Sequence, residues 1–522
     1  MNFSTTDYII FIGYCLFIVA FGLYVSREKK GHEKNANDYF LASNTLPWWA
    51  IGASLIAANI SAEQFIGMSG SGYALGLAIA SYEWMAALTL IVVAKYFLPI
   101  FIEKGIFTLP QFLEIRYDSR IRTILAVFWV LLYTFVNLTT VLYLSSLALS
   151  VVLGITITQS IIGLAVVAVA YSLYGGLKAV AWTDVVQVVF LVFGGLVTTY
   201  LALDAVSGGN GVLAGMKELL VQAPDRFDMI FTEDNPYYKD LPGLSVLIGG
   251  LWIANLSYWG CNQYIIQRAL AAKNIREAQK GLAFAGYLKL LIPLVVVIPG
   301  IAAYVMQADI ARPDEAYPWL LGNLVPNGIR GLAFAALIAA ALSSLSSMMN
   351  STATIFTMDI YQPFFGKDAS QKKLVNIGRL VGLFSIVIAV VVAQPLLGGE
   401  EQIFQFIQKY TGYVSPGIVV LFLFGLFWKR TTGTAALWSA VASVPVSIGV
   451  DLIFSEMPFL DQMGLVFLIL SALIIVLSLM ESKTNSPKAI VFGTDLFKTG
   501  PVFNIAAMGI VLILGVLYTT FW

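Results

Sequence analysis

The residues of this chain that could do chemistry are polar groups set inside long apolar stretches. The stretch 51–76, IGASLIAANISAEQFIGMSGSGYALG, carries Asn59, Ser61, Glu63 and Gln64 among repeated glycines, and Tyr82-Glu83-Trp84 follows it closely. Asn255, Tyr258, Trp259, Asn262 and Gln263 lie in 244–266, Lys289 stands alone in 279–306, Ser343 and Ser344 sit in 328–358, and Gln408 lies between Phe404 and Tyr410. One lysine, one glutamate, several carboxamides and several aromatics, drawn from five separate stretches, are what a polar, hydroxyl-rich ligand requires. Amide and charged groups serve its hydroxyls, and an aromatic face serves its C–H side. The glycine-interrupted stretch also frees backbone carbonyls that can coordinate an ion. Each residue has a plainer reading as well. Glu63 or Lys289 can pair with another buried group as structural glue. Ser343 and Ser344 can bond back to their own helix or fill close helix contacts. The pairs Trp48-Trp49 and Tyr258-Trp259 can be packing or interfacial aromatics, and Asn137 reads as packing. Convergence is what favours a solute site.

Other chemistry is poorly supplied. His32 is the only histidine and lies in a charged loop, so a zinc centre or a Ser-His-Asp triad has no ligand set. Cys15 and Cys261 both fall in apolar stretches and read as small core residues. No GxxxxGK(S/T) loop is present, so no nucleotide motor and no organic cofactor is expected. The 30 basic and 30 acidic residues cancel, which leaves no global field to attract nucleic acid.

The elements that must position these groups are membrane spans. With 59% hydrophobic and 11% charged residues and a mean hydropathy of +0.83, the chain has too little polar surface for a soluble fold. Fourteen spans are predicted: 7–26, 46–72, 78–101, 121–150, 157–174, 182–206, 244–266, 279–306, 328–358, 376–396, 401–427, 433–453, 462–480 and 503–521. The first is preceded by Asp7 rather than a basic segment and is too long for a cleaved leader. With the N-terminus outside, inner loops hold 22 basic residues, Arg116 and Arg268 among them, against 5 in outer loops. Both termini are then expected on the outer side, with the lipid bilayer as solvent and no appended soluble domain or obligatory protein partner.

Several stretches resemble the solute:sodium symporter family: ASLIAANISAEQFIGMSGSGY (53–73), SYEWM (81–85), GGLKAVAWTDVVQV (175–188), YWGCNQYIIQR (258–268), ALSSLSSMMNSTATIFTMDIY (341–361) and YTGYVSPG (410–417). The pattern GG…AV.WTD..Q belongs to the broad family, while the AEQF and YWG…NQ.I.QR blocks and the intramembrane lysine are similar to its sugar-transporting branch. The resemblance implies an all-α polytopic fold with a leucine-transporter-like core in one membrane domain, 1–522. Two five-helix inverted repeats, 46–206 and 244–427, would be flanked by an extra helix at 7–26 and three more at 433–521. It further implies sugar contacts at Gln64, Glu83, Asn255, Lys289 and Gln408, with Asn59 nearby and Tyr258 stacking from the inner side. Met68, Tyr82 and Phe404 match an outer hydrophobic gate. A sodium site is implied at Ala57, Ile60, Ala340, Ser343 and Ser344, with Asp184 on the sodium exit route. Where the family has a sugar-contacting serine after YEWM, this chain has Ala86, which loosens the inference to galactose but not to a sugar. The outer loop near 307–318 is also shorter, with no evident consequence for the site.

The expected function is therefore not enzymatic. It is alternating-access symport of sodium with a neutral sugar, galactose or glucose, in a bacterial inner membrane. The alternative is another polar solute, such as inositol or a polyol, an acidic sugar or an amino acid. Neutral hydroxyls and carbonyls suit sodium better than a proton, although Glu63, Glu83 or Asp184 could carry one. A channel would need a repeated filter, which is absent.

Overall fold

A computed structural model describes residues 4–25, 27, 35–61, 63–398 and 403–522. Helices account for the regular structure of these residues, and the only strand-like pairing among them is an isolated bridge between Leu46 and Ala272. Among the described residues, twelve helices are long and apolar enough to cross a membrane. Their burial sorts them into layers. The span Ile329–Phe365 is 94% buried, whereas Thr5–Val25 and Pro501–Thr520 are each only 17% buried and form the periphery. Composition explains the centre: the run ALIAAALSSLSS in span 9 presents small side chains that let neighbouring helices approach closely. Span 1 is fixed to span 9 at its N-terminal end, where Asp7 accepts hydrogen bonds from the amides of Gly328 and Gly331 at 2.7 and 2.9 Å.

The fourteen-span reading differs from this in two places, each with a local cause. Span 2 is broken. Its first half, Trp48–Asn59, ends at Ile60, whose ψ of 93° leaves the helical region, and the chain resumes as a π-helical turn, Glu63–Met68. The second half then runs through a tight turn at Gly76–Ala80 into span 3, so that 64–103 forms one hydrophobic run. Span 5 is short, an apolar helix of Ile157–Ala170, and is joined to span 6 through Gly176. Gly176 has φ +64° and ψ −161°, a conformation open essentially to glycine alone, and a Cβ there would lie 2.5 Å from the Tyr39 carbonyl oxygen. Span 7 is broken as well. Helix Gly250–Cys261 stops at the extended Asn262 (φ −105°, ψ 124°) and resumes as Gln263–Leu270. Tyr133 repairs that break by accepting the Gln263 amide at 2.9 Å and donating to the Asn262 side-chain oxygen. Arg116 and Arg268, counted above with the inner loops, are buried: Arg116 donates to the carbonyls of Gly425, Trp428 and Thr431, and Arg268 pairs with Asp184.

Candidate functional site

The two broken helices face a common cavity of about 110 Å³. All seven residues expected to bind solute line it: Asn59, Gln64, Glu83, Asn255, Tyr258, Lys289 and Gln408. Six helical segments supply them, which is why the polar groups looked scattered in the sequence. Lys289 and Glu83 form an ion pair with side-chain exposures of only 1% and 3%. The same ammonium donates to the Asn59 side-chain oxygen and sits 5.0 Å from the centre of the Trp259 ring. Gln64 donates to the other Glu83 oxygen at 3.5 Å, and its own carbonyl oxygen is buried without a partner. Asn255 donates to the Leu251 carbonyl of its own helix at 3.1 Å, which turns the rest of its carboxamide to the cavity. The two charges cancel each other, and the donors and acceptors around them are neutral.

On one wall Asn59 donates to the Tyr258 hydroxyl at 2.9 Å, and Tyr264 donates to the same hydroxyl at 2.5 Å with the two rings nearly perpendicular. Tyr258 is thereby held edge-on by the Trp48–Asn59 and Gln263–Leu270 halves of the two broken helices. The expected gate residues Met68 and Tyr82 are buried and line the same cavity. Phe404 belongs to the helix Ile403–Gly412, but its side chain lies outside the described residues, as does that of Glu63. Ala86 is also on the wall, 2% exposed, so the position that lacks a hydroxyl does face the solute space.

The residues expected at the sodium site also come together. Ala57 and Ile60 end the first half of span 2, and Ala340, Ser343 and Ser344 lie on span 9; all five are fully buried. Ser344 donates to the Ala58 carbonyl at 2.9 Å, joining the helix end, whose last carbonyls lack partners within their own helix, to span 9. Ser343 turns instead to Asp184. Asp184 has both oxygens engaged, one by Ser343 and the other by Ser54 and Arg268, with Arg268 at 3.2 Å and also bonded to Ser54 and Ser347. This four-span knot of Ser54, Asp184, Arg268 and Ser347 escaped the sequence reading, which treated Arg268 as loop charge.

Other lining residues were missed too. Asn137, read as packing, borders the cavity with its side-chain oxygen unpartnered, and it carries the same signal, an amide in mid-span, that identified Asn255. Trp259, read as packing or belt, sits beside the Lys289 ammonium. Asn262, Thr411 and Ser415 complete the polar rim.

Residues 39–442 match the model of the sodium:solute symporter family. The chain belongs to that family. It is a sodium-coupled symporter, a multi-pass membrane transporter and not an enzyme. It is similar to a sodium/glucose cotransporter of Vibrio parahaemolyticus, with 55% identity across 99% of this chain and 98% of the relative. It is also similar to a human sodium/myo-inositol cotransporter, with 34% identity over 87% of this chain and 71% of that one. A solved sodium-coupled sialic acid symporter in a substrate-bound outward-open state superposes with a TM-score of 0.80 at 24% identity, covering 92% and 98% of the two chains. A nucleobase-cation-symport transporter in a closed conformation superposes at 0.55 and 15% identity, covering 87% and 98%. Both likenesses concern the fold, and they establish the leucine-transporter-like, all-helical architecture of the symporter.

Proposed function

We propose that the solute is a neutral hexose, glucose or galactose, taken up together with sodium. The observation that carries this reading is the mutual neutralisation of Lys289 and Glu83 inside a cavity otherwise lined by carboxamides and aromatic rings. A carboxylate-bearing solute would need an uncommitted cation, whereas a neutral polyol uses the pair as one donor and one acceptor. The Vibrio relative named as a sodium/glucose cotransporter supports the same solute class. Similarity to a myo-inositol cotransporter, together with the missing hydroxyl at Ala86, favours myo-inositol as the second reading.

Sodium is assigned to Ala57, Ile60, Ala340, Ser343 and Ser344, where it ties the broken end of span 2 to span 9. That end leads directly into Asn59 and Gln64, so ordering it by the ion prepares two solute contacts. By linkage the solute must strengthen sodium binding by the same factor. Met68, Tyr82 and Phe404 serve as the outer gate, Tyr258 as the inner one, and Asp184 lies on the exit route of the ion. The two breaks, at the start of 46–206 and of 244–427, support the assignment of these segments as inverted repeats flanked by 7–26 and 433–521. The charge asymmetry supports a bacterial inner membrane with both termini outside.

The test is uptake into proteoliposomes of labelled glucose, galactose, myo-inositol and an acidic sugar, with and without a sodium gradient. Accumulation of a neutral hexose only with the gradient is expected. Equal accumulation of the acidic sugar would overturn the neutral-solute reading.

A further inference from the structure

Gln187 closes the pattern WTDVVQ on span 6, three residues beyond Asp184. It is completely buried, and neither its side-chain nitrogen nor its side-chain oxygen has a hydrogen-bond partner. Leaving both ends of an amide unpaired in a helical core is costly, so such a group calls for an occupant. Its position tells which. Spans 6 and 9 run antiparallel with a constant register, because Asp184 meets Ser343 and, ten residues further along each helix, Gly194 meets Ala333. The same register sets Gln187 level with Ala340. Gln187 and Gly194 are seven residues apart and share one helix face, so Gln187 points at span 9 as Gly194 does. Span 2 agrees: Ser54 bonds Asp184, and one turn further along each of these helices lie Ala57 and Gln187. Gln187 is therefore flanked by the two segments whose Ala57 and Ala340 belong to the proposed ion site, and it lies one turn from Asp184.

We infer that Gln187 is a further sodium-contacting side chain, its amide oxygen receiving the ion between the Ala57–Ala340 site and Asp184. This rests on the ion site proposed above. The chemistry fits a partly hydrated hard cation, since the metal takes the oxygen while a water in its shell accepts from the amide nitrogen. Asp184 is a poorer first stop, because its charge is already matched by Arg268 and its oxygens are bonded. Gln187 is the uncommitted oxygen in this wall.

The experiment compares wild type, Q187M, Q187E and S344A in detergent without solute, measuring the rise in melting temperature caused by sodium against choline and lithium. Proteoliposome uptake then gives the half-saturating sodium concentration. Q187M keeps the volume and removes the oxygen. It is expected to lose at least half of the sodium-induced stabilisation and to raise half-saturating sodium about fivefold, the loss of roughly one hydrogen-bond-sized contact. Solute affinity at saturating sodium should stay within about twofold. Q187E, which restores an oxygen, should recover the sodium response with an altered sodium-to-lithium preference. If Q187M instead melts higher in choline and responds to sodium as wild type does, Gln187 is only a dehydrated structural amide and the inference falls. If Q187M does not fold, a sodium response and lithium preference of Q187E identical to wild type overturn it equally. S344A separates the two claims: an unaltered response in S344A removes the ion site itself, whereas a weakened S344A beside an unaltered Q187M removes only the role of Gln187.

Discussion

Lys289→Met isolates the electrostatic centre of the solute site. The methionine keeps most of the side-chain length but takes away the cation paired with Glu83, leaving that carboxylate 3% exposed with the 3.5 Å bond from Gln64 as its hydrogen bond among the described residues. Removing one member of a buried ion pair costs about 3–5 kcal/mol, mostly the penalty of the charge left behind. Asn59 loses a donor in the same step, so its bond to Tyr258 is no longer backed from the other side. Thermal unfolding in detergent should show Tm lowered by about 3–5 °C, and solute binding should be abolished. Glu83→Gln should destabilise for the mirror-image reason. The double variant Lys289→Met/Glu83→Gln carries no buried charge and should return to within about 1 kcal/mol of wild type, since apolar or neutral replacements of whole pairs are often tolerated. It should still fail to bind hexose, because both groups that meet the hydroxyls are altered. A double variant no more stable than either single one would refute the pairing argument. Recovered hexose binding in the double variant would show that the solute does not use the pair.

Ala86→Ser restores a hydroxyl on the cavity wall and should tighten hexoses bearing the matching hydroxyl by about 0.5–1.5 kcal/mol; a deoxyhexose series shows whether one hydroxyl alone gains, and a uniform change would mean that position 86 acts through packing. Tyr258→Phe keeps the ring but loses the hydroxyl shared by Asn59 and Tyr264; it should weaken hexose binding by about 1–2 kcal/mol, less than Tyr258→Ala, in the same binding assay. Gly176→Ala forces a side chain into a conformation closed to it and against the Tyr39 carbonyl; a loss of about 3 kcal/mol or more should appear as aggregated protein by size-exclusion chromatography.

Much of the site was legible because a membrane makes polar residues conspicuous. Gln64, Glu83, Asn255, Lys289 and Gln408 each interrupt an apolar run, and the structure gathers all five around one cavity. Asn137 gave the same signal and was passed over because a single amide has a sound packing explanation. What the pattern did not carry was direction. Trp259 lies in the helix before the break at Asn262, and its place 5.0 Å from the Lys289 ammonium depends on how two distant helices pack, which spacing does not carry. Arg268 follows the same break, so counting basic residues assigned it to a loop when it is buried against Asp184. The breaks were hidden for a related reason: hydropathy averages over Ile60 and Gly176, where the backbone itself turns, and a window of twenty residues does not see a single ψ angle.

The pairing of the buried charges has a further consequence for how the carrier responds to voltage. Lys289 with Glu83 and Arg268 with Asp184 are each neutral as a unit, so neither pair adds net charge to the moving parts when the empty protein reorients. With a neutral solute, bound sodium is then the charge that loading the site adds, and the membrane potential acts on it at about 2.3 kcal/mol per elementary charge per 100 mV. The charge carried per solute molecule becomes a direct count of the sodium ions accompanying it, and current recorded alongside labelled flux in the same vesicles would read that count.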